Sequence, residues 1–599
     1  MITENNYKIE RVLNIYVIGL ILFVLNIILF LKFGEKFGDI FIDSSREVTV
    51  PLRILDGQVI YKDFHYEYGP IVPYFFALIC KIFGSGLDVF RITGLTVSIA
   101  ISLIIFKISE VYINRIYALL SSIIFIFLFA YHSEPINIFN YILPYSYVSI
   151  IGLLCLLLVY LNTLKYLMDR KIAPLLFLIV SISVCMLSKL EIILSTLIVL
   201  MFLPLLFNNN NSCLSKEKNL EGGKRNAIIL FWIIPIAVLL FVYIYYFDYV
   251  NNEIYYLVKK NLNNLIGRTA LGLNNIEYHF TKAITSFLFF ITCGTLFILI
   301  DNYAIKKARY NYIQILVFIT ILLITTQIIN VEGYDFLFNS SSLILLPFTV
   351  YLLGIVFSRG KDHRCVKHKV MLVITLSSLA LTFRMAFNNT TNFYGFYLLV
   401  PSSMCIIVVI YYYIPLIARK YFNKRTKLLK IAFTIYFSTM CYSSFSNTVD
   451  VSEEKNKRLT TDKGALYLYE YQYDATQYLI NDFKSSLNKE DTVMVLPEGY
   501  MLNYFLDVVP TSYNNSHLPD LTADSERELS LIQEIDEKKF DYIFIVPRYA
   551  FEWDLPVLGK DYLIDTIKHI DDTYNFYALY GTMPFSEDGK YGVLILKRK

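Results

Sequence analysis

Long uninterrupted apolar runs constrain this chain more than any other feature of its sequence. Runs of about twenty apolar residues match the thickness of the hydrocarbon core of a bilayer. They recur between residues 15 and 446. Over the whole chain 56% of the residues are hydrophobic and 17% are charged, a charged share below the roughly 25% of soluble domains. The sequence therefore predicts a polytopic α-helical membrane protein.

The distribution of Lys and Arg between the runs predicts how often the chain crosses the membrane. The short run 71–83 can either cross or lie in the interface as an amphipathic helix. Cytoplasmic loops of membrane proteins carry an excess of Lys and Arg. If the run 71–83 lies in the interface, every predicted cytoplasmic loop is basic, as this rule requires. If the run crosses, nearly all of these basic loops face outward. We therefore expect about thirteen transmembrane helices with the N-terminus inside. They are predicted at 15–33, 91–109, 115–131, 146–164, 172–188, 191–207, 227–247, 283–301, 311–330, 341–357, 370–386, 395–416 and 428–446.

The composition becomes more polar after residue 450. Helix-like and strand-like patterns then alternate, with helices predicted at 471–484 and 526–539 and strands at 491–496, 540–546 and 591–597. This alternation favours an α/β domain, and about 150 residues can bury a core of their own. We expect two domains, a transmembrane domain at 1–449 with interfacial helices in its first outer loop (34–90), and an extracytoplasmic α/β domain at 450–599.

The first outer loop is dense in charge although it follows a lipid-embedded segment. Asp43 is an acid of this loop, and Glu47 would share its helix face, with Arg46 beside them. A carboxylate at this boundary can take a proton from a hydroxyl or amine group of a substrate, so Asp43 is a candidate catalytic residue. The alternative is that Asp43 caps a helix. Arg46, Glu47, His65 and Glu67 of the same loop are candidate substrate-binding residues.

The next outer loop contains Glu134, the second candidate catalytic acid. A carboxylate alone in a loop is also typical of a solvated residue without a catalytic role.

Four further charged residues lie where predicted outer loops meet apolar segments. Lys189 and Glu191 occupy a short turn between two spans, Arg384 is near the outer end of its span, and Arg91 begins one. Charge near membrane depth is usually functional or paired, and cations there suit a phosphate. We name all four as candidate substrate-binding residues. The alternatives are a Lys189–Glu191 pair, an ion pair of Arg384 with an outer acid, and an interfacial anchor at Arg91.

Several kinds of partner are not indicated by the sequence. The eight cysteines show no metal spacing, no convincing His/Asp/Glu cluster is present, and residues 450–599 contain no glycine-rich nucleotide loop. The net charge of +4 is too small to suggest a nucleic-acid partner. We therefore expect no cofactor and assign no metal ligand, although a divalent metal stays possible.

The candidate residues together resemble the membrane glycosyltransferases of the GT-C superfamily. The first outer loop, from Asp43 to Gly84, is similar to that of glycosyltransferase family 39, the protein O-mannosyltransferase-like and aminoarabinose-transferase-like enzymes. Arg91, residues 140–145, residues 188–191 and residues 394–397 continue the similarity in order.

This resemblance implies a GT-C fold and inverting transfer of a sugar from a polyprenyl-phosphate donor on the outer face of the cytoplasmic membrane. Asp43 would be the general base, Glu134 would lie near a second acid, and Lys189 or Arg384 would contact the lipid phosphate. Many relatives carry a phosphate-binding lysine where this chain has Tyr68. The implied acceptor is a protein, a glycolipid or a cell-wall glycan.

Two other functions are compatible with the sequence. A transporter or flippase for a lipid-linked glycan would be expected to have charges in mid-span, broken helices and internal repeats. An inactive GT-C-like scaffold of envelope assembly is the third possibility.

Overall fold

The computed structural model describes most of the chain. The described residues are 14–39, 43–134, 137–169, 171–207, 237, 276–304, 310–333, 335–357, 366–385, 388–392, 394–488, 490–519, 525–548, 555, 557–585 and 590–599.

Helices dominate the described residues up to Glu454. They are α1 (Ile15–Phe33), α2 (Ser44–Leu55), α3 (Ile71–Phe83), α4 (Leu87–Glu110), α5 (Arg115–Phe125), α6 (Tyr147–Asp169), α7 (Ile172–Met186), α8 (Leu190–Phe207), α9 (Ile276–Ala304), α10 (Tyr310–Glu332), α11 (Phe336–Asn339), α12 (Ser341–Phe357), α13 (Val366–Phe383), α14 (Leu399–Val408), α15 (Ile414–Phe422) and α16 (Lys427–Glu454). A π-helical turn extends α5 to Ala130, and another joins α14 to α15.

These helices form a helical membrane protein, as the apolar runs predict. Among the described residues, six segments are long and apolar enough to cross a bilayer. They are Ile15–Lys36, Leu87–Glu110, Tyr147–Asp169, Glu277–Asn302, Val366–Phe383 and Phe396–Phe422. Shorter apolar helices lie at other predicted spans, and the span predicted at 227–247 falls almost entirely outside the described residues. The count of thirteen and the orientation stay predictions.

Helix α3 has the length and pattern expected of an interfacial helix. Its 13 residues are too few to cross the hydrocarbon core. One face, with Val72 and Phe76, is buried against the protein, while Leu78 and Ile82 on the other are more than half exposed. An exposed apolar face on a short helix at the protein surface is suited to the membrane interface.

The chain after α16 forms a hairpin and a small α/β unit. The hairpin pairs β1 (Lys457–Thr461) with β2 (Gly464–Leu468). The unit contains α17 (Glu470–Phe483), β3 (Val493–Leu496), α18 (Met501–Phe505), α19 (Ser525–Lys538), β4 (Tyr542–Ile545), α20 (Ile564–Thr573), β5 (Tyr574–Gly581) and β6 (Gly592–Arg598). The sheet order is β3-β4-β6-β5, with β3 and β4 parallel and the other pairs antiparallel.

The strands of this sheet separate two hydrophobic cores. Because side chains alternate along a strand, Val493 and Val495 face one side and Met494 and Leu496 the other. The first side joins the hydrophobic core that continues into the membrane helices, and the second packs against α19 and α20. The sheet therefore has one face directed toward the membrane helices.

Candidate functional site

Asp43 lies at the start of α2, but its carboxylate does not cap the helix. Its backbone oxygen accepts hydrogen bonds from the amides of Arg46 and Glu47, at 3.1 and 3.3 Å. Its side chain makes no capping bond. Instead, Oδ1 is 3.1 Å from Arg46 Nη1, and Oδ2 accepts a hydrogen bond of 3.0 Å from the Tyr394 hydroxyl. The carboxylate is therefore held by two side chains outside the helix backbone.

Arg46 and Glu47 connect α2 to the start of α6. Arg46 donates a 2.8 Å hydrogen bond to the carbonyl of Tyr145, and Glu47 Oε2 accepts one of 2.7 Å from the amide of Tyr147. Burial raises the pKa of Glu47 to about 7, although Arg46 and the Tyr147 amide oppose this change. Glu47 therefore bonds the first turn of α6, and its role in substrate binding stays a prediction.

Lys189, in the turn between α7 and α8, is a buried cation surrounded by tyrosines. Its Nζ is 3.3 Å from both the Tyr145 hydroxyl and Ser149 Oγ. It also lies 4.6, 4.9 and 5.5 Å from the ring centroids of Tyr68, Tyr145 and Tyr397, which we call the tyrosine cage. Within the described part of the chain, no carboxylate is within ion-pair distance of Nζ. The cage holds the ammonium group through ring faces and hydroxyl groups.

Tyr68 connects the Asp43 region to Lys189. Its ring centroid is 5.1 Å from the guanidinium carbon of Arg46 and 4.6 Å from Lys189 Nζ. The next residue, Gly69, donates a 3.0 Å hydrogen bond to the carbonyl of Ser188. The first outer loop and the α7–α8 turn are therefore in direct contact.

The two predicted arginines have other partners. Arg384 Nε is 3.2 Å from Glu191 Oε1, which agrees with the ion-pair alternative. Arg91 is 1% exposed and donates a 2.6 Å hydrogen bond to the carbonyl of Ala465 in β2, with Asp88 3.5 Å away. Arg91 therefore holds the hairpin against α4, and its predicted role in substrate binding stays a prediction.

Glu134 is buried after the π-helical turn that follows α5. Its Oε1 has no hydrogen-bond partner among the described residues, and burial raises its pKa to about 8. It is not among the residues that line the cleft around Asp43. Its role as a second acid stays a prediction.

A polar cleft of about 50 Å³ lies between the first outer loop and the C-terminal unit. The loop contributes Asp43, Ser45, Arg46, His65 and Glu67, and the C-terminal unit contributes Glu498, Asn514, Asn515 and Ser516. The structure therefore brings together four of the predicted loop residues, and it adds a second wall that the sequence did not predict. Within the described residues, no group of three or more His, Cys, Asp or Glu side chains could hold a metal ion.

Sequence reasoning missed Tyr394 as a partner of Asp43 and Glu498 as part of the cleft. Tyr394 belongs to the segment 394–397 that carries part of the family resemblance, so a signal for it was present. Glu498 lies two positions after the end of β3, and the carboxyl ends of parallel strands are common ligand sites in α/β sheets. That rule could have identified Glu498, but only with knowledge that β3 pairs in parallel with β4.

Comparison with protein families identifies one related group. Residues 67–239 match the family described as dolichyl-phosphate-mannose-protein mannosyltransferase. No curated protein matches the chain.

Two solved structures show distant likeness. The archaeal oligosaccharyltransferase AglB from Archaeoglobus fulgidus, in complex with an inhibitory peptide and a dolichol-phosphate, has a TM-score of 0.43 at 13% identity, covering 96% of this chain and 74% of that one. ArnT from Cupriavidus metallidurans, bound to undecaprenyl phosphate, has a TM-score of 0.40 at 11% identity, and the match covers 96% of this chain and 97% of that one. The resemblance to membrane glycosyltransferases is confirmed by the family match over residues 67–239.

Proposed function

We propose that the protein is a membrane glycosyltransferase that moves a sugar from a polyprenyl-phosphate donor to an acceptor on the outer face of the cytoplasmic membrane, with inversion. One observation carries this proposal. Asp43, a carboxylate in the polar cleft, pairs with Arg46, and the guanidinium group of Arg46 lies over the ring of Tyr68. The same ring contacts Lys189, a buried cation that has no carboxylate partner among the described residues.

The proposed reaction uses Asp43 as general base. The acceptor hydroxyl or amine gives its proton to a carboxylate oxygen of Asp43 while its oxygen or nitrogen attacks the anomeric carbon of the donor sugar. The bond between that carbon and the phosphate oxygen breaks, and the electron pair stays on the lipid phosphate. A single displacement of this kind inverts the configuration of the anomeric carbon.

Lys189 is the proposed contact for the leaving phosphate. Arg384 forms an ion pair with Glu191, and Arg91 donates a hydrogen bond to the backbone of β2. The tyrosine cage around Lys189 contains no carboxylate that would neutralise the charge of its ammonium group. A fixed cation that meets the growing charge on a leaving group stabilises the transition state. Tyr68 stands where many relatives have the phosphate lysine, and Lys189 contacts the ring of that same residue. A cation from the α7–α8 turn would thus take the place of the missing lysine.

The test of this function is sugar transfer in membranes that contain Asp43→Asn. Membranes from expressing cells would be incubated with radioactive sugar nucleotides, which charge the endogenous polyprenyl phosphates. Transfer of label from the lipid fraction to a lipid-insoluble product would then be measured. We expect the variant to lose about 100-fold or more of the transfer rate, because it has no group to accept the proton.

Asp56→Asn is the matched control, since Asp56 is an exposed acid at the other end of the same helix. Wild-type transfer rates in Asp43→Asn would disprove the assignment of the base. Movement of a labelled lipid glycan across proteoliposomes without covalent transfer would instead support a transporter.

A further inference from the structure

Glu498 occupies a position where α/β sheets commonly bind ligands. It follows β3, and Arg548 follows the neighbouring parallel strand β4, so both lie at the carboxyl ends of the strands. Arg548 Nε is 2.7 Å from Glu498 Oε1. Glu498 is only 7% exposed, yet it lines the cleft that contains Asp43. The C-terminal unit therefore directs its ligand-binding edge at the candidate catalytic residue.

The wall that contains Glu498 has unused capacity for hydrogen bonds. Oε2 of Glu498 and the side-chain amide of Asn514 make no hydrogen bond to the described residues. Ser516 Oγ is buried and has no partner among them. Burial raises the pKa of Glu498 to about 7 against the effect of Arg548, and Asp43 adds to the increase. Polar groups held at one face of a cleft without partners leave a binding surface for a polar ligand.

The wall is fixed in place by hydrogen bonds to the first outer loop. Arg53 is fully buried and donates to the Ser512 carbonyl at 2.7 Å and to Asn515 Oδ1 at 3.0 Å. His65 donates its amide to the Tyr513 carbonyl at 2.8 Å and accepts, through its own carbonyl, a 3.0 Å bond from Asn515. Because these hydrogen bonds already fix the wall, little conformational entropy is lost when a ligand binds to it.

The chemistry of the lining restricts what can enter. All nine lining residues are polar, and three of them are carboxylates against one arginine. The ionised form of a carboxylate only accepts hydrogen bonds, so hydroxyl groups of a ligand can donate to it, and the excess of carboxylates disfavours an anionic ligand. Among the described residues that line the cleft, none has an apolar side chain to receive a peptide side chain. Hydroxyl groups on adjacent carbons of a sugar match a surface of carboxylates, amides and hydroxyls.

We propose that the C-terminal unit forms the acceptor side of the cleft, and that Glu498 binds a hydroxyl group of a carbohydrate acceptor whose neighbouring hydroxyl reacts beside Asp43. This inference rests on the proposed glycosyltransferase function and names its acceptor class. Glu498 is thus a positioning residue for the acceptor.

The test uses the full chain in membranes labelled as above. In Glu498→Gln, we expect the transfer rate at endogenous acceptor to fall about 10- to 100-fold, because a hydrogen bond to a charged group is lost. The rate should recover when unlabelled acceptor extract is added, since KM for the acceptor rises and kcat does not. Binding of undecaprenyl phosphate, measured on purified protein, should be unchanged. Asn514→Ala, which removes a side chain without partners in the described structure, should change the rate in the same direction.

Glu470→Gln, at an exposed acid of the same unit, is the control and should behave as wild type. The labelled product should stay macromolecular after proteinase K digestion, and conversion to small glycopeptides would overturn the carbohydrate acceptor. If Asp43→Asn is inactive while Glu498→Gln and Asn514→Ala match wild type, this inference alone fails. If Asp43→Asn is fully active, the proposed function fails instead.

Discussion

At the scale of single residues, the environment of each charged group distinguishes roles that spacing left open. Asp43 is bonded to Arg46 and Tyr394 and borders the cleft, whereas Glu134 is buried with a pKa raised to about 8. Burial of this kind favours the protonated form of a carboxyl group. The two acids therefore lie in different environments, and Asp43 as the base stays the proposal that the transfer assay tests.

The role of Lys189 can be tested by moving its charge. We expect Lys189→Gln to weaken undecaprenyl phosphate binding about 10- to 100-fold, because a charge-assisted contact to phosphate is lost. The double variant Tyr68→Lys with Lys189→Gln should regain part of this affinity, since the two side chains are in contact and the lysine would return to the position it has in relatives. Affinity would be measured by microscale thermophoresis on protein in detergent.

Lys107→Gln is the control for the Lys189 variants, because it removes a half-exposed cation at the far end of α4. Equal affinity of Lys189→Gln and wild type would contradict a phosphate contact. If Lys189→Gln loses affinity and the double variant does not regain any, the position of the charge, and not only its presence, controls binding.

At the scale of elements, Gly69 determines how closely the first outer loop approaches the α7–α8 turn. A Cβ at this position would lie 2.0 Å from the carbonyl oxygen of Leu187, so any other residue must displace the turn that carries Lys189. We expect Gly69→Ala to lower sugar transfer and undecaprenyl phosphate binding together, and to destabilise the fold by about 1–3 kcal/mol through overpacking. Thermal unfolding in detergent and the same binding assay would measure both effects.

Gly354→Ala in α12 is the matched substitution, since a Cβ there meets nothing within 4 Å. If Gly69→Ala changed neither stability nor binding, the loop–turn contact would have no part in positioning Lys189.

The elements that the sequence predicted are those that depend on local pattern. Apolar runs predicted helices because a bilayer requires continuous apolar segments, and the charged first loop predicted α2 with its acid and cations. Strands β1, β2 and β5 were not predicted. β1 consists mostly of polar residues such as Thr460, β2 begins with a glycine, and β5 is an edge strand whose Asn575 and Phe576 face solvent. None of the three strands shows regular alternation of buried and exposed residues. Their positions depend on tertiary contacts rather than on periodicity.

At the scale of the whole molecule, the candidate site is built from parts that lie far apart in the sequence. Asp43 and Glu498 share a cleft although 455 positions separate their numbers. Hydropathy and motif spacing act within a few tens of residues, so the first wall of the cleft was predictable and the second was not. The missing information is the docking of the C-terminal unit on the first outer loop.

That docking depends on a buried arginine, and this dependence gives a last prediction. Arg53 makes three side-chain hydrogen bonds, to Gln58, Ser512 and Asn515, and its guanidinium carbon lies 4.1 Å from the centroid of the Phe64 ring. Arg53→Met would leave buried acceptors in residues 512–515 without donors, which costs about 1–3 kcal/mol each. We expect faster hydrogen exchange in residues 510–516 and slower sugar transfer, with unchanged exchange in α4 and α6. Arg458→Met is the control, because its ion pair with Glu35 also joins the chain after α16 to the first outer loop. The two side chains are 49% and 39% exposed, and such exposed pairs contribute about 0–1 kcal/mol. Equal effects of the two substitutions would mean that burial of the Arg53 contacts does not determine the docking, and the fixed second wall of the cleft would lose its support.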